Sequence, residues 1–168
     1  MTILFISLRL IHILAGIFWV GAAVVTTAFL MPAARAMGPE GGRFLQFVLG
    51  KQRMSNYISL SAILTVLPGI AVYWIKTSGL QSAWIFISAG LIITIGAITG
   101  IAAAILGGAV TAPTAARMES LSKEMQSAGG PPKPEQLAQL QAMQKRLGKA
   151  GLWGAILLVI TVVTMAIG

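Results

Sequence analysis

The chain has no cysteine and no aspartate, one histidine and only four acidic residues, all glutamate. Each shortage closes off a class of chemistry. Without cysteine there is no disulfide scaffold, no thiolate nucleophile and no thiolate zinc site. Without aspartate there is no Ser–His–Asp set. One histidine cannot build a His-rich or His/Glu metal cluster. Only 10% of the 168 residues are charged, against about 25% in soluble domains. What fills the chain instead is apolar: 57% hydrophobic residues and a mean hydropathy of +0.86. The composition is that of an integral membrane protein.

The charges are unevenly placed. No Asp, Glu, Lys or Arg occurs in 10–34, 54–75, 77–116 or 150–168. Charge-free apolar runs of 18 or more residues read as membrane-spanning helices. The third run is long, but it starts on the turn-like Thr77-Ser78-Gly79-Leu80-Gln81-Ser82 and ends near Gly107-Gly108 and Pro113. The expectation is one membrane domain over 1–168, an all-α bundle of four spans at about 3–31, 54–76, 83–111 and 150–167. Segments 32–53 and 112–149 lie on the cytoplasmic side. Arg9 with the apolar run after it resembles the start of a signal peptide. That run is too long for a signal core of about 7–15 residues, so the first span is expected to be retained.

Ten of the twelve basic residues sit in those two segments: Arg35, Arg43, Lys51 and Arg53, then Arg117, Lys123, Lys133, Lys145, Arg146 and Lys149. Arg9 and Lys76 fall on the other side. Basic residues in short loops mark the cytoplasmic face. Both termini are therefore expected outside. Tyr73, Trp74 and Trp84 flank the outer turn, and Phe44, Phe47, Tyr57 and Trp153 the inner boundary, where amphipathic rings settle. The net charge of +8 serves orientation and attracts anionic inner-leaflet lipid. Nucleic acid is not an expected partner, since no soluble domain is present to hold it.

The halves read as a duplicated hairpin. Pro32-Ala33-Ala34-Arg35-Ala36-Met37 closes span 1, and Pro113-Thr114-Ala115-Ala116-Arg117-Met118 follows span 3. Ser61-Ala62-Ile63-Leu64 in span 2 matches Gly154-Ala155-Ile156-Leu157 in span 4. This is a parallel two-plus-two repeat. Pro39-Glu40 suits a helix start in the first loop, with Phe44, Leu45, Phe47 and Val48 as its greasy face. In the second loop, Met118, Leu121 and Met125, then Leu137, Leu140 and Leu147, recur at helical spacing. Gly129-Gly130-Pro131-Pro132 breaks the helix between them. The segment reads as a helical hairpin between spans 3 and 4, roughly 20–25 Å tall; two helices lying flat on headgroups is the other reading.

Gly96, Gly100, Ala104 and Gly108 form a small-residue groove on span 3. It serves either intrachain packing or a partner interface, including a homo-oligomer. Pro68-Gly69 should kink span 2, leaving a carbonyl for neighbours to satisfy.

One constellation could carry chemistry. Arg9, His12, Gly16 and Trp19 share a face of span 1, and ionisable groups in a span default to function. With Tyr73 and Met165 at similar depth they make a candidate cofactor site. His12 and Met165 are possible haem ligands in type, and Arg9 suits a propionate. Copper(I) accepts Met and His, but one of each makes a poor cage. The structural alternative is that Arg9 snorkels to headgroups and His12 hydrogen-bonds a neighbouring helix. Glu40, Glu119, Glu124 and Glu135 all fall outside the spans, so no acid is placed as a proton relay. No catalytic residue is assigned.

Arg9-Leu10-Ile11-His12-Ile13-Leu14-Ala15-Gly16-Ile17-Phe18-Trp19-Val20-Gly21, running to Leu30-Met31-Pro32-Ala33-Ala34-Arg35, resembles the opening of small bacterial four-helix membrane proteins of the copper-resistance-D-like group. The likeness covers about 30 residues of the first-helix His, Trp and Gly pattern. It implies a four-helix membrane fold in a bacterial plasma (inner) membrane and a haem- or copper-binding role for His12. Two functional readings follow from the whole sequence. The first is a non-catalytic binding or accessory subunit of a membrane complex. The second is a haem-binding, less readily copper-binding, redox protein using His12. A transporter is a distant third, because the spans hold no acid.

Overall fold

A computed structural model describes residues 2–80, 83–128, 130–131 and 133–168. Gln81 and Ser82 of the expected outer turn, and Gly129 and Pro132 of the expected helix breaker, lie outside them. The described residues are helical with no strand, and four helices are long and apolar enough to cross a membrane. In chain order the helices are α1 (Thr2–Val25), α2 (Met31–Ala36), α3 (Pro39–Leu45), α4 (Met54–Lys76), α5 (Ser88–Leu106), α6 (Ala112–Ser127) and α7 (Pro134–Ile167).

The prolines after spans 1 and 3 do not end those helices. A wide π turn, Thr26–Leu30, carries α1 into α2, and another, Gly107–Thr111, carries α5 into α6. In both, the residue just before the proline donates its N–H five residues back, Met31 to Thr26 O and Ala112 to Gly107 O. A proline has no N–H, and its ring crowds the carbonyl four residues earlier. Widening the preceding turn relieves both problems without stopping the helix. The first helical stretch thus runs Ile3–Ala36 and the third Ser88–Ser127. The fourth is likewise unbroken over Pro134–Ile167. Its start is capped by Lys133 N–H donating to Gln136 Oε1 at 3.0 Å. The two helices expected in segment 112–149 are therefore continuations of spans 3 and 4.

Helices pair in two sets. α1 lies along α4, and α5 along α7; α1–α7 and α4–α5 contacts are fewer. At the centre, Trp19 from α1, Ala103 from α5 and Leu158 from α7 are buried together, with Ile58, Ala62 and Val66 of α4 packed on them. Outside, Ile17, Phe29, Leu67, Ile98, Ile105 and Val163 stand exposed. In lipid that costs nothing, because the solvent is as apolar as the side chains.

The first loop folds tightly. Gly38 turns the chain at φ 62° between α2 and α3. Gly41 then passes so close to Ala34 that any Cβ there would collide with the Ala34 carbonyl. The chain leaving α4 is turned by the buried Thr77. Its hydroxyl donates to Tyr73 O at 2.8 Å and accepts from Leu80 N at 3.2 Å. Lys76 Nζ lies 4.5 Å from the Trp84 ring centroid, a cation–π contact at the expected interfacial level.

Candidate functional site

The face of α1 singled out in the sequence is turned largely toward α4. His12 Nδ1 lies 2.7 Å from Thr65 O. A carbonyl only accepts, so Nδ1 carries the proton in this contact; in the neutral ring Nε2 then keeps its lone pair. Gly16 packs one turn along, where a Cβ would meet Thr65 Cγ2 at 3.4 Å. Trp19, a further turn on, is in the buried centre. Arg9 is exposed.

The approach of His12 depends on the Pro68-Gly69 pair. Pro68 offers no N–H to Leu64 O, four residues before it, and loosens this turn of α4. Gly69 has no side chain to block the ring: a Cβ there would lie 2.7 Å from His12 Nδ1 and 2.8 Å from Cε1. The imidazole thus fills the space that a small residue opens. It reaches the carbonyl next to the one proline frees. The sequence marked Pro68 as leaving a carbonyl and His12 as seeking a neighbour, but did not pair them.

Tyr73 and Met165 engage α5 instead. Tyr73 Oη is 2.6 Å from Thr94 Oγ1. Thr94 donates to Gly90 O at 2.7 Å, so Tyr73 donates to Thr94. Met165 Cγ stands 3.0 Å from where a Cβ on Gly96 would be. No hydrogen bond joins Arg9, His12, Tyr73 and Met165 to one another among the described residues. The donor set around His12 therefore fits one imidazole ligand through Nε2. A metal-binding histidine commonly gives its other N–H to a carbonyl in this way. Among the described residues no three His, Cys, Asp or Glu side chains gather as a metal cluster.

The glycine groove is occupied from within the chain for half its length. Gly96 and Gly100 are buried. Cβ atoms on them would meet Thr164 Oγ1 at 2.6 Å and Thr161 Cγ2 at 3.3 Å. Thr99 and Thr161 hydroxyls lie 2.8 Å apart across the same seam. Each also faces its own helix, Thr99 at 3.0 Å from Ile95 O and Thr161 at 2.9 Å from Leu157 O. A hydroxyl has one proton, so one of the pair donates across and the other donates back. Ala104 packs beside the Trp19 centre. Gly108 is exposed, with nothing within 4 Å of a Cβ placed there.

The two threonine bridges, Tyr73–Thr94 and Thr99–Thr161, were not foreseen. Only the ability of hydroxyls to bond across helices, combined with the α4–α5 and α5–α7 contacts, could have flagged them. Compared with protein-family models, curated proteins and solved structures, the chain matches none.

Proposed function

We propose that this is a multi-pass protein of a bacterial inner membrane that acts as a non-catalytic binding or accessory subunit. One observation carries the reading. The third and fourth helical stretches, Ser88–Ser127 and Pro134–Ile167, run to about 60 and 51 Å at 1.5 Å per residue. A hydrocarbon core takes only about 30 Å. The excess is the polar arm formed by α6 and the start of α7, which contact each other. The ten cations of segments 32–53 and 112–149 support a cytoplasmic arm with both termini outside. The matching π turns before Pro32 and Pro113 support the two-hairpin repeat. With groove residues Gly96 and Gly100 taken up by α7, the arm offers the larger surface for a partner or a second copy.

The test is assembly size in mild detergent after purification from the native membrane. An assembly well above 17.6 kDa per protein mass, disrupted by substitutions at exposed arm residues Leu137 and Gln141, is expected. A lone monomer with no copurifying protein overturns the reading.

A second reading rests on the Nδ1–Thr65 bond of His12 and on the resemblance of residues 9–21 to the copper-resistance-D-like group. Here His12 would hold haem b through Nε2, and the haem would supply one-electron transfer when bound. Met165 or another copy's histidine would supply a second ligand. A Soret band in purified protein, lost in His12→Ala, supports this reading. A colourless preparation from haem-replete cells refutes it.

A further inference from the structure

We infer that the cleft between the inner end of the first helical stretch and α7 binds the phosphate headgroup of an anionic phospholipid, with Arg35 as the phosphate ligand. The cleft holds about 180 Å³, between Thr27, Met31 and Arg35 on one side and Gly148, Gly151 and Leu152 on the other. Two glycines make it. A Cβ at Gly148 would lie 2.6 Å from the Arg35 guanidinium, and one at Gly151 would lie 3.1 Å from Thr27 Oγ1.

Two polar groups in this cleft have no protein partner among the described residues. The ion pairs among the described residues are Arg43–Glu40 and Lys123–Glu119. Arg35 is in neither, and neither Arg35 nor the Thr27 hydroxyl hydrogen-bonds to a described residue. Arg35 is an exposed residue that lines this cleft; its guanidinium has no protein counter-ion among the described residues, and its planar fork suits phosphate oxygens. The setting selects the kind of anion. Charges cease at Arg35 going into the first span and at Lys149 going into the fourth. Arg35 and Gly148 thus mark the headgroup level, while Thr27, Met31 and Leu152 continue into the apolar layer. A ligand that is anionic at one end and apolar beyond it satisfies both. Basic pockets between transmembrane helices hold lipid headgroups by the same chemistry. The cleft takes the phosphate and the first acyl carbons, and the tails run out along the exposed apolar surface.

The experiment is native mass spectrometry of the full chain in mild detergent. Phosphatidylglycerol and phosphatidylcholine of matched acyl chains are offered, with inorganic phosphate as a separate probe. Wild type is expected to retain phosphatidylglycerol over phosphatidylcholine. Retention should drop about tenfold in Arg35→Gln, and also in Gly148→Leu, which fills the cleft but keeps the charge. Arg43→Gln, at an exposed ion-paired cation, should change nothing. Misfolding of one cleft variant leaves the other decisive. Equal retention of the two lipids, undiminished retention in whichever cleft variant folds, or an Arg35-dependent adduct with inorganic phosphate alone overturns the assignment.

Discussion

At Gly69 the missing side chain lets the His12 ring approach Thr65 O. Gly69→Ala should push the ring away and cost roughly 1–3 kcal/mol, the range for overfilling a packed contact. The readouts are thermal unfolding in detergent and the ¹⁵N imidazole spectrum. With one histidine in the chain, a single signal reports whether Nδ1 stays protonated and hydrogen-bonded. An unchanged Nδ1 signal in the variant would disprove the contact. Thr26 presents the reverse case. Its hydroxyl is buried with no partner among the described residues, so the fold carries a desolvated group for no return. Thr26→Val keeps the shape and removes the orphan, and such exchanges are nearly neutral or stabilising. A clear drop in melting temperature would show that the hydroxyl has a partner after all. His12 and Gly69 were each visible in the sequence as unusual residues for a span. Their contact was not, because 57 positions separate them.

Between helices, the α5–α7 seam combines small residues with threonine hydroxyls. Hydrocarbon solvent gives helices no hydrophobic reason to associate, so close packing and interhelical bonds hold them. Thr161→Val should therefore lose about 0.6 kcal/mol, and at most about 1.7, the measured span for such bonds in a membrane. The contrast along the groove is sharper. Gly96→Leu drives a side chain into Thr164 and Met165 and should lower the melting temperature markedly. Gly108→Leu meets open space and should leave it within experimental error. Equal effects at the two sites would mean that α7 does not lie where it is described. Periodicity alone marked Gly96, Gly100, Ala104 and Gly108 as one stripe. It could not say that the stripe divides, because which helix fills a groove is settled by pairing across the bundle.

Across the whole molecule, a cysteine-free chain makes topology directly measurable. Single cysteines at Arg43 and Lys133 should react with an impermeant thiol reagent from one side of the membrane, and a cysteine at Lys76 from the other. Labelling of Arg43 and Lys133 from opposite sides would refute the arrangement of the ten inner cations. Surface ion pairs will not decide stability here. Arg43–Glu40 and Lys123–Glu119 are both well exposed, and such pairs contribute little.

The sequence by itself located four helices long and apolar enough to cross a membrane, since charge-free apolar runs of that length suit a hydrocarbon setting. The second was legible to its ends, Met54–Lys76, because Arg53 and Lys76 bracket it. Only the tertiary structure decided how far the other helices run. Pro32 and Pro113 looked like stops, yet each is absorbed by a π turn, a choice between local hydrogen-bond patterns that residue type does not dictate. It also decided that Trp19, Ala103 and Leu158 meet at the centre. That Arg35 lies over Gly148 was settled the same way. Packing brings together side chains far apart in the chain, and hydropathy carries no record of which of them will touch.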